Sequence, residues 1–256
     1  MSDLNLKQRI RAGEILIGVS VPLDASESEM EAIISKDDYA FVFTDSQHGP
    51  FNEETLVKFC EASSSLGIPS QFRIKHTRHT YLIGNILDLG PVGIEVPQVE
   101  TLETVQEAVH YFYYPQKGGR SVGGAARYKI NDYHNSGLKD KSGPGSTEVR
   151  SERIEYGRWW NQTGFLSIQM ESLRAVTTVS QLAVDGVDCL TWGPNDLLYD
   201  IEAHPKHPIQ TVDDCVTHAL DQLQGSQTRI SFRSYDHTLR NKYINMGVTV
   251  LMEHPK

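Results

Sequence analysis

Short apolar runs rich in β-branched and aromatic residues alternate with helical patterns along most of this chain. Strands that alternate with helices form a parallel sheet, and eight of them in 256 residues favour a closed (β/α)8 TIM barrel of the α/β class. An open doubly wound sheet is the alternative, but no GxGxxG motif follows the first strand. The predicted strands are Ile15–Ser20, Ala40–Thr44, Ser70–Ile74, Gly93–Pro97, Gly164–Gln169, Asp188–Trp192, Arg229–Phe232 and Val248–Met252.

Seven helices are predicted between these strands. Ser26, Thr101 and Thr211 are suited to cap three of them, because their hydroxyls can accept a hydrogen bond from the first turn. The longest irregular stretch is glycine-rich and runs from 115 to about 150, and a loop of that length is usually either functional or disordered. We therefore expect a single domain over 1–256 with an irregular insertion at about 115–150. The predicted helices are Glu27–Ser35, Asn52–Leu66, Tyr81–Leu89, Leu102–Tyr113, Leu173–Val184, Val212–Leu223 and His237–Met246.

Composition excludes several classes of function. The chain has 24 basic and 33 acidic residues, a net charge of −9 and no long Lys/Arg run, so we expect no nucleic-acid partner. No apolar stretch reaches the roughly 20 residues that cross a bilayer, and the start lacks an apolar signal region. We therefore expect no membrane partner and a cytoplasmic location. The three cysteines are far apart and form no CxxC pair, which argues against structural zinc.

Two acidic residues follow neighbouring strands at the point where each strand ends. Glu171 closes Gln169-Met170-Glu171 after the fifth strand, and Asp196 closes Gly193-Pro194-Asn195-Asp196 after the sixth. The carboxyl ends of parallel strands meet at one mouth, where two carboxylates repel unless a proton or a cation lies between them. All-oxygen ligands suit a hard cation, Mg²⁺ or Mn²⁺. The alternatives are that Glu171 favours the start of a helix and that Asp196 caps a turn.

Other polar residues are expected near the same mouth. His48 follows the second strand, and Arg73 lies on the polar face of the third, which is predicted to line the barrel interior. Arg73 is either a salt-bridge partner or an anion clamp. Away from the strand ends, Arg120 lies in the irregular loop that starts at the barrel floor, among glycines that either let the backbone approach a ligand or only make the loop flexible. Asp88 could orient a histidine, or could simply be a solvated helix residue. Basic groups, an imidazole and two acids at one mouth suit an anionic substrate held on a metal.

The ordered set of motifs resembles the HpcH/HpaI aldolase family. Members of that family are typically class II, metal-dependent aldolases that act on 2-oxo acids and have a (β/α)8 barrel. The motifs are Asp45-Ser46-Gln47-His48-Gly49-Pro50, Arg73, Asp88-Leu89-Gly90, Val96-Pro97-Gln98-Val99, Tyr114-Pro115 with Gly119-Arg120-Ser121-Val122-Gly123, Gln169-Met170-Glu171 and Gly193-Pro194-Asn195-Asp196-Leu197.

The resemblance implies a role for each site residue. Glu171 and Asp196 would bind the divalent metal, and Arg73 would stabilise charge on the enolate oxygen. His48, oriented by Asp88, would be the general acid/base at the 4-hydroxyl. The candidate substrate-binding residues are Gln169, Asn195 and Arg120.

The expected function is cleavage of a 4-hydroxy-2-oxo acid into pyruvate and an aldehyde, with a small 2-oxo acid as the partner and a homo-oligomer as the assembly. Two features depart from the family. Gln47 stands where the family usually has Glu, and the sequence stops just past the eighth strand, where the family usually continues into a helix that swaps between subunits. The alternative functions are an acyl-thioester lyase of the citrate lyase beta type and a non-catalytic oxo-acid binding protein, which Gln47 makes conceivable.

Overall fold

Eight parallel strands close a barrel in the order in which they occur along the chain. The computed structural model of the protein describes residues 5–122, 147–234 and 236–256. Each strand pairs in parallel with the next, and β8 pairs with β1 to close the ring. The predicted (β/α)8 TIM barrel is confirmed. The strands are β1 Leu16–Ser20, β2 Phe41–Asp45, β3 Ser70–Arg73, β4 Gly93–Val96, β5 Phe165–Met170, β6 Cys189–Trp192, β7 Arg229–Ser234 and β8 Val250–Glu253.

Helices surround the barrel, and within the described ranges no helix is both long and apolar enough to cross a membrane. The three predicted N-caps are confirmed: the side chains of Ser26, Thr101 and Thr211 each accept a hydrogen bond from the backbone of the first turn. Short 3-10 helices at Thr77–Leu82 and His237–Leu239 precede α4 and α11. The α-helices are α1 Leu6–Ala12, α2 Glu27–Ile34, α3 Glu53–Ser65, α4 Ile83–Asp88, α5 Leu102–Phe112, α6 Thr147–Thr163, α7 Leu173–Thr177, α8 Val179–Leu182, α9 Pro194–Ala203, α10 Val212–Gln222 and α11 Arg240–Met246.

Three of these helices, α1, α6 and α9, were not predicted. The insertion expected at about 115–150 ends earlier, because α6 already begins at Thr147, while residues 123–146 lie outside the described part of the chain. Helix α6 is mostly polar and has no clear apolar stripe, so its periodicity gives little signal. Its buried aromatic residues, Tyr156 and Trp160, lie in its second half. In α9 the missed signal is Pro194 at the first helical position.

The lower half of the barrel interior is filled by aromatic and aliphatic side chains. Phe41 and Phe165 meet edge to face with their ring centroids 6.0 Å apart. The register partners of Phe41 and Phe165 on the adjacent strands are Gly18 and Gly93, where an added Cβ would collide with the rings. Ile10 of α1 packs into the same cluster and is fully buried. This apolar floor closes the amino-terminal end of the barrel and leaves the carboxyl-terminal mouth for polar groups.

A buried cluster of Lys7, Arg11 and Asp188 connects α1 to the amino-terminal end of the barrel. The Asp188 carboxylate is inaccessible to solvent and accepts hydrogen bonds from Arg11 Nε at 2.7 Å and from the backbone N–H of Leu166 at 2.9 Å. Lys7 Nζ lies 3.2 Å from the same carboxylate. Burial lowers the pKa of Lys7 to about 8, against the opposing effect of Asp188. The cluster therefore joins the first helix to strands β5 and β6.

Candidate active site

A layer of polar side chains lies above the apolar floor, at the carboxyl ends of the strands. In register, Asp45 of β2 is the partner of Arg73 of β3, which in turn is the partner of Glu95 of β4. Side chains alternate along a strand, so residues two positions apart share the inward face. The polar inward layer consists of Asp45, Arg73, Glu95, Gln169 and Arg233, of which all but Asp45 are buried.

Arg73 is held by two side chains. Its Nε and Nη2 donate to the two carboxylate oxygens of Asp45 at 2.7 and 2.6 Å, and its Nη1 donates to Gln169 Oε1 at 3.0 Å. Burial would lower the pKa of Arg73, but the hydrogen bonds that it donates to Asp45 and the charges of the neighbouring carboxylates raise it. Burial would raise the pKa of Asp45, but the hydrogen bonds and the positive charge of Arg73 lower it. Arg73 is therefore a permanently charged guanidinium in a fixed orientation, and the salt-bridge interpretation of this residue matches the structure.

Glu171 follows β5, and its side chain occupies space next to Gly193. It is 7% exposed, and its Oε2 accepts a hydrogen bond at 3.0 Å from the backbone N–H of Gln98, which has a positive φ of 51°. A Cβ at Gly193 would collide with Glu171 Oε1 and would lie 2.7 Å from Gln169 Nε2. Only a residue without a side chain at position 193 leaves room for this carboxylate.

Glu171 and Asp196 lie together, as the sequence predicts. Asp196 is exposed in the first turn of α9, and its carboxylate is a hydrogen-bond partner of Glu171. Burial and the proximity of Asp196 raise the pKa of Glu171 to about 8, so at neutral pH the pair holds a proton between its oxygens. A divalent cation would replace that proton, and two carboxylates are ligands that Mg²⁺ and Mn²⁺ prefer. These residues therefore fit the predicted metal.

Glu171 and Asp196 would be the two carboxylate ligands that the protein supplies to such a metal ion. In the described ranges no group of three or more His, Cys, Asp or Glu side chains is arranged to hold an ion. His48 and Asn195 lie at the rim, after β2 and in the first turn of α9, and both are exposed. The His48 ring has no hydrogen-bond partner among the described residues.

The structure does not bring Asp88 and Arg120 to the mouth. Asp88 is the last residue of α4, which runs back from the mouth, and its Oδ1 lies 2.5 Å from Arg120 Nη2. Arg120 is 2% exposed and lies between the rings of Tyr114 and Trp160, at 4.7 and 4.6 Å from their centroids. Within the described chain, the expected hydrogen bond between Asp88 and His48 is therefore absent, and Arg120 serves packing. The aromatic residues near Arg120 were the available signal for this arrangement.

The sequence interpretation missed an ion pair that crosses the barrel. Arg233 Nη2 of β7 donates to Glu95 Oε1 of β4 at 2.7 Å, and Glu95 is inaccessible to solvent. The signal was present in Gly93-Ile94-Glu95-Val96, where alternation places Glu95 on the inward face with Gly93. Arg233 was expected after the seventh strand, but β7 continues to Ser234 and includes it.

A cavity of about 610 Å³ opens at the mouth, between the carboxyl ends of β1, β2, β7 and β8. Arg73 and Asp45 form part of its wall, whereas Glu171 and Asp196 do not line it. Arg73 also donates to Gln169, and the side chains of Gln169 and Glu171 both lie against Gly193. The cavity is lined by Ser20, Val21, Pro22, Leu23, Asp24, Phe43, Thr44, Asp45, Gly49, Pro50, Phe51, Asn52, Thr55, Arg73, Arg233, Met252, Glu253 and His254.

The sequence profile of the HpcH/HpaI aldolase/citrate lyase family matches residues 21–230. The chain belongs to this family. The family resemblance inferred from the order of the motifs is thereby confirmed. The matched region runs from the end of β1 to β7 and includes the acid pair, Arg73 and His48.

Several individual proteins are similar to this chain over nearly its whole length. A 4-hydroxy-2-oxo-heptane-1,7-dioate aldolase from Shigella boydii is 25% identical over 248 residues, which cover 95% of this chain and 85% of that protein. A hydroxypyruvate/pyruvate aldolase from Pseudomonas aeruginosa is 26% identical over 250 residues, covering 94% and 82%. The crystal structure of an HpcH/HpaI aldolase from Desulfitobacterium hafniense superposes with a TM-score of 0.77 at 22% identity, covering 99% and 91%. The last comparison establishes the shared fold.

Proposed function

We propose that this HpcH/HpaI family member is a divalent-metal-dependent class II aldolase that cleaves a 4-hydroxy-2-oxo acid into pyruvate and an aldehyde. The observation that carries the proposal is the Glu171–Asp196 pair. Glu171 lies against Gly193 together with Gln169, which accepts a hydrogen bond from the fixed guanidinium of Arg73. The names of the similar aldolases support the same reaction class.

Glu171 and Asp196 would hold Mg²⁺ or Mn²⁺. A bound divalent cation supplies a Lewis acid for the carbonyl of the 2-oxo acid. Two features hold the Glu171 carboxylate in position. The backbone N–H of Gln98 donates to one of its oxygens, and Gly193 has no side chain to displace it. Because the pair holds a proton at neutral pH, binding of the cation releases that proton, so affinity for the metal should rise with pH up to about 8.

Arg73 would stabilise the charge that develops during cleavage. Breaking the bond between C3 and C4 leaves the electron pair on the pyruvate fragment, whose 2-oxo oxygen becomes an enolate oxygen. Arg73 uses three of its five N–H groups on Asp45 and Gln169, and the other two remain for substrate. Since Asp45 and Gln169 fix the guanidinium before substrate binds, no reorganisation is needed as the charge appears.

His48 would move the proton of the 4-hydroxyl group. Cleavage requires that this proton leave as the aldehyde carbonyl forms, and an imidazole can accept it. The enolate then takes up a proton at C3 from solvent to become pyruvate, and the imidazole returns its proton to solvent. His48 lies three residues after Asp45, which ends β2 and is the partner of Arg73, at the same end of the barrel. Its ring has no acceptor or donor among the described residues, which leaves both nitrogens for substrate or water.

The test measures pyruvate release. Protein stripped with EDTA is incubated with a series of 4-hydroxy-2-oxo acids, with and without Mg²⁺ or Mn²⁺, and pyruvate is followed with lactate dehydrogenase and NADH. We expect pyruvate only when the cation is present, and a loss of at least about 100-fold in Asp196→Asn. Glu61→Gln, a change at an exposed acid on α3, is the matched control and should keep full activity. The proposal fails if cation-loaded protein releases no pyruvate from any member of the series, or if stripped protein is equally active.

A further inference from the structure

Arg233 lies in the wall of the cavity, and most of its hydrogen-bond donors have no acceptor among the described residues. It is 6% exposed, and its Nη2 donates to Glu95 Oε1 at 2.7 Å. Its Nε is buried without an acceptor, and the described residues offer none to Nη1. The guanidinium carbon lies 5.0 Å from the ring centroid of Phe43, a contact that helps to hold the group in place. A buried cation with unpaired donors is costly, which points to a ligand that supplies an acceptor.

The side chain of Arg233 reaches the immediate surroundings of Arg73. Glu95, which accepts a hydrogen bond from Arg233, is the register partner of Arg73 on the adjacent strand. Both arginines also line the same cavity, together with Asp45, the carboxylate that fixes Arg73. The cavity therefore has two guanidiniums in its wall, one from β3 and one from β7, on either side of β4 and its carboxylate.

The backbone of Arg233 is level with the acid pair. Trp192 and Phe232 are register partners on β6 and β7, so the residues that follow them, Gly193 and Arg233, lie side by side. The carboxylate of Glu171 packs against Gly193. Arg233 therefore begins next to the proposed metal ligands, and its side chain crosses the barrel to β4.

The charges around Arg233 favour a ligand that is neutral when it binds. Glu95 is inaccessible to solvent and forms an ion pair with Arg233. Asp45 forms the corresponding pair with Arg73. A permanent anion at Arg233 would lack a counter-charge, whereas the oxygen of a hydroxyl or carbonyl group can accept the free N–H donors without adding charge.

We propose that Arg233 is a catalytic residue that binds the oxygen on C4 of the substrate, while Arg73 binds the oxygen on C2. The inference rests on the proposed aldolase function. Three carbon atoms separate these two oxygens, so two neighbouring guanidiniums can bind both at once. When His48 accepts the proton of the 4-hydroxyl group, the C4 oxygen becomes an alkoxide. Its electron pair then forms the aldehyde carbonyl, while the pair of the C3–C4 bond moves into the enolate. The free donors of Arg233 bind the charged oxygen more strongly than the neutral hydroxyl, which lowers the barrier to cleavage.

The test separates enolate formation from bond cleavage. Enolate formation is followed by NMR as exchange of the C3 hydrogens of pyruvate for deuterium in D2O, because pyruvate has no oxygen on C4. Cleavage is followed as pyruvate release from a 4-hydroxy-2-oxo acid. The variant is Arg233→Lys, which keeps a cation for Glu95 but lacks the guanidinium. The matched control is Arg229→Lys on the same strand, where the guanidinium donates to the carbonyls of Ser226 and Arg11 at the barrel floor. Circular dichroism confirms that each variant is folded.

We expect Arg233→Lys to lower kcat for cleavage by about 100-fold, as for loss of one donor to a developing oxyanion, and to keep deuterium exchange within about twofold of the native rate. Arg73→Lys should slow both reactions, because both form the enolate, and Arg229→Lys should slow neither. The assignment is overturned if Arg233→Lys cleaves at the native rate, or if it slows exchange as much as cleavage.

A binding measurement separates failure of this inference from failure of the proposed function. Isothermal calorimetry in EDTA compares a 4-hydroxy-2-oxo acid with the 2-oxo acid of the same length that lacks the hydroxyl group. We expect the native protein to bind the hydroxylated acid about tenfold more tightly, as for one charge-assisted hydrogen bond, and Arg233→Lys to bind the two acids equally.

If the native protein neither releases pyruvate nor exchanges deuterium, the aldolase proposal fails, but this loss of preference would still assign the C4 oxygen to Arg233. The assignment is refuted if the native protein binds the two acids equally, or if its preference persists in Arg233→Lys.

Discussion

Replacing Glu171 with glutamine should stabilise the metal-free protein at alkaline pH while destroying its metal site. Glutamine has the shape of the protonated acid. Its carbonyl oxygen can accept the N–H of Gln98, and its amide can donate to Asp196, as the shared proton does in the native pair. At pH 8.5 the native protein carries a buried carboxylate at this position, whereas Glu171→Gln does not.

The size of the effect follows from the pKa of Glu171. The unfolded chain titrates near the ordinary value of 4.5, and the folded chain near 8. Below about 4.5 both states hold the proton, so the two proteins should be equally stable. Between these values the folded state alone holds it, and native stability falls as the pH rises. At about 1.36 kcal/mol per pKa unit the upper bound is about 5 kcal/mol, and because Asp196 is exposed to solvent and salt we expect about 2 kcal/mol.

The assay is urea unfolding in EDTA at pH 5 and at pH 8.5. Glu171→Gln should exceed the native free energy of unfolding by about 2 kcal/mol at pH 8.5, and by much less at pH 5. Glu61→Gln on the exposed face of α3 should follow the native protein at both pH values. Adding Mg²⁺ or Mn²⁺ should stabilise the native protein at pH 8.5 and leave Glu171→Gln unchanged. A variant that is equally or less stable than the native protein at pH 8.5 refutes the reasoning.

Three further substitutions probe the mouth and the floor. Arg73→Lys cannot bond both Asp45 oxygens at once, so kcat should fall about 100-fold with a smaller change in KM, measured as pyruvate release. Gly193→Ala places a methyl group against Glu171 although its φ of −102° suits any residue; we expect about 1–3 kcal/mol less stability by urea unfolding, and loss of stabilisation by Mn²⁺. Asp188→Asn leaves two cations at the floor without their counter-charge and should cost about 3–5 kcal/mol by the same method, whereas an effect below about 1 kcal/mol would contradict the described cluster.

Local patterns were sufficient to predict the barrel and the acid pair. Each strand is a short apolar run between helical segments. Parallel strands have their carboxyl ends at the same mouth, so the sequence alone predicts that Glu171 and Asp196 lie side by side. The same rule placed Arg73 on the inward face of β3. These inferences succeed because they depend only on period, order along the chain and strand direction.

Contacts between segments distant in sequence could not be predicted in the same way. Arg120 was a candidate substrate-binding residue, but aromatic rings from two separate segments enclose it. Asp88 was matched with His48 on the family resemblance, whereas the direction of α4 carries it away from the mouth. Alternation places Glu95 on the inward face, but its ion pair was missed because the partner Arg233 lies 138 residues further along the chain. Side-chain partners of this kind depend on tertiary packing, which no local pattern reports.

The aromatic floor also has a kinetic consequence. Phe41 and Phe165, backed by Ile10 of the first helix, seal the amino-terminal end of the barrel. Arriving substrate and departing products must then share one opening, at the mouth. The two product fragments would leave through the mouth one after the other. The fragment that leaves last would occupy the site and so act as a competitive inhibitor toward the next substrate.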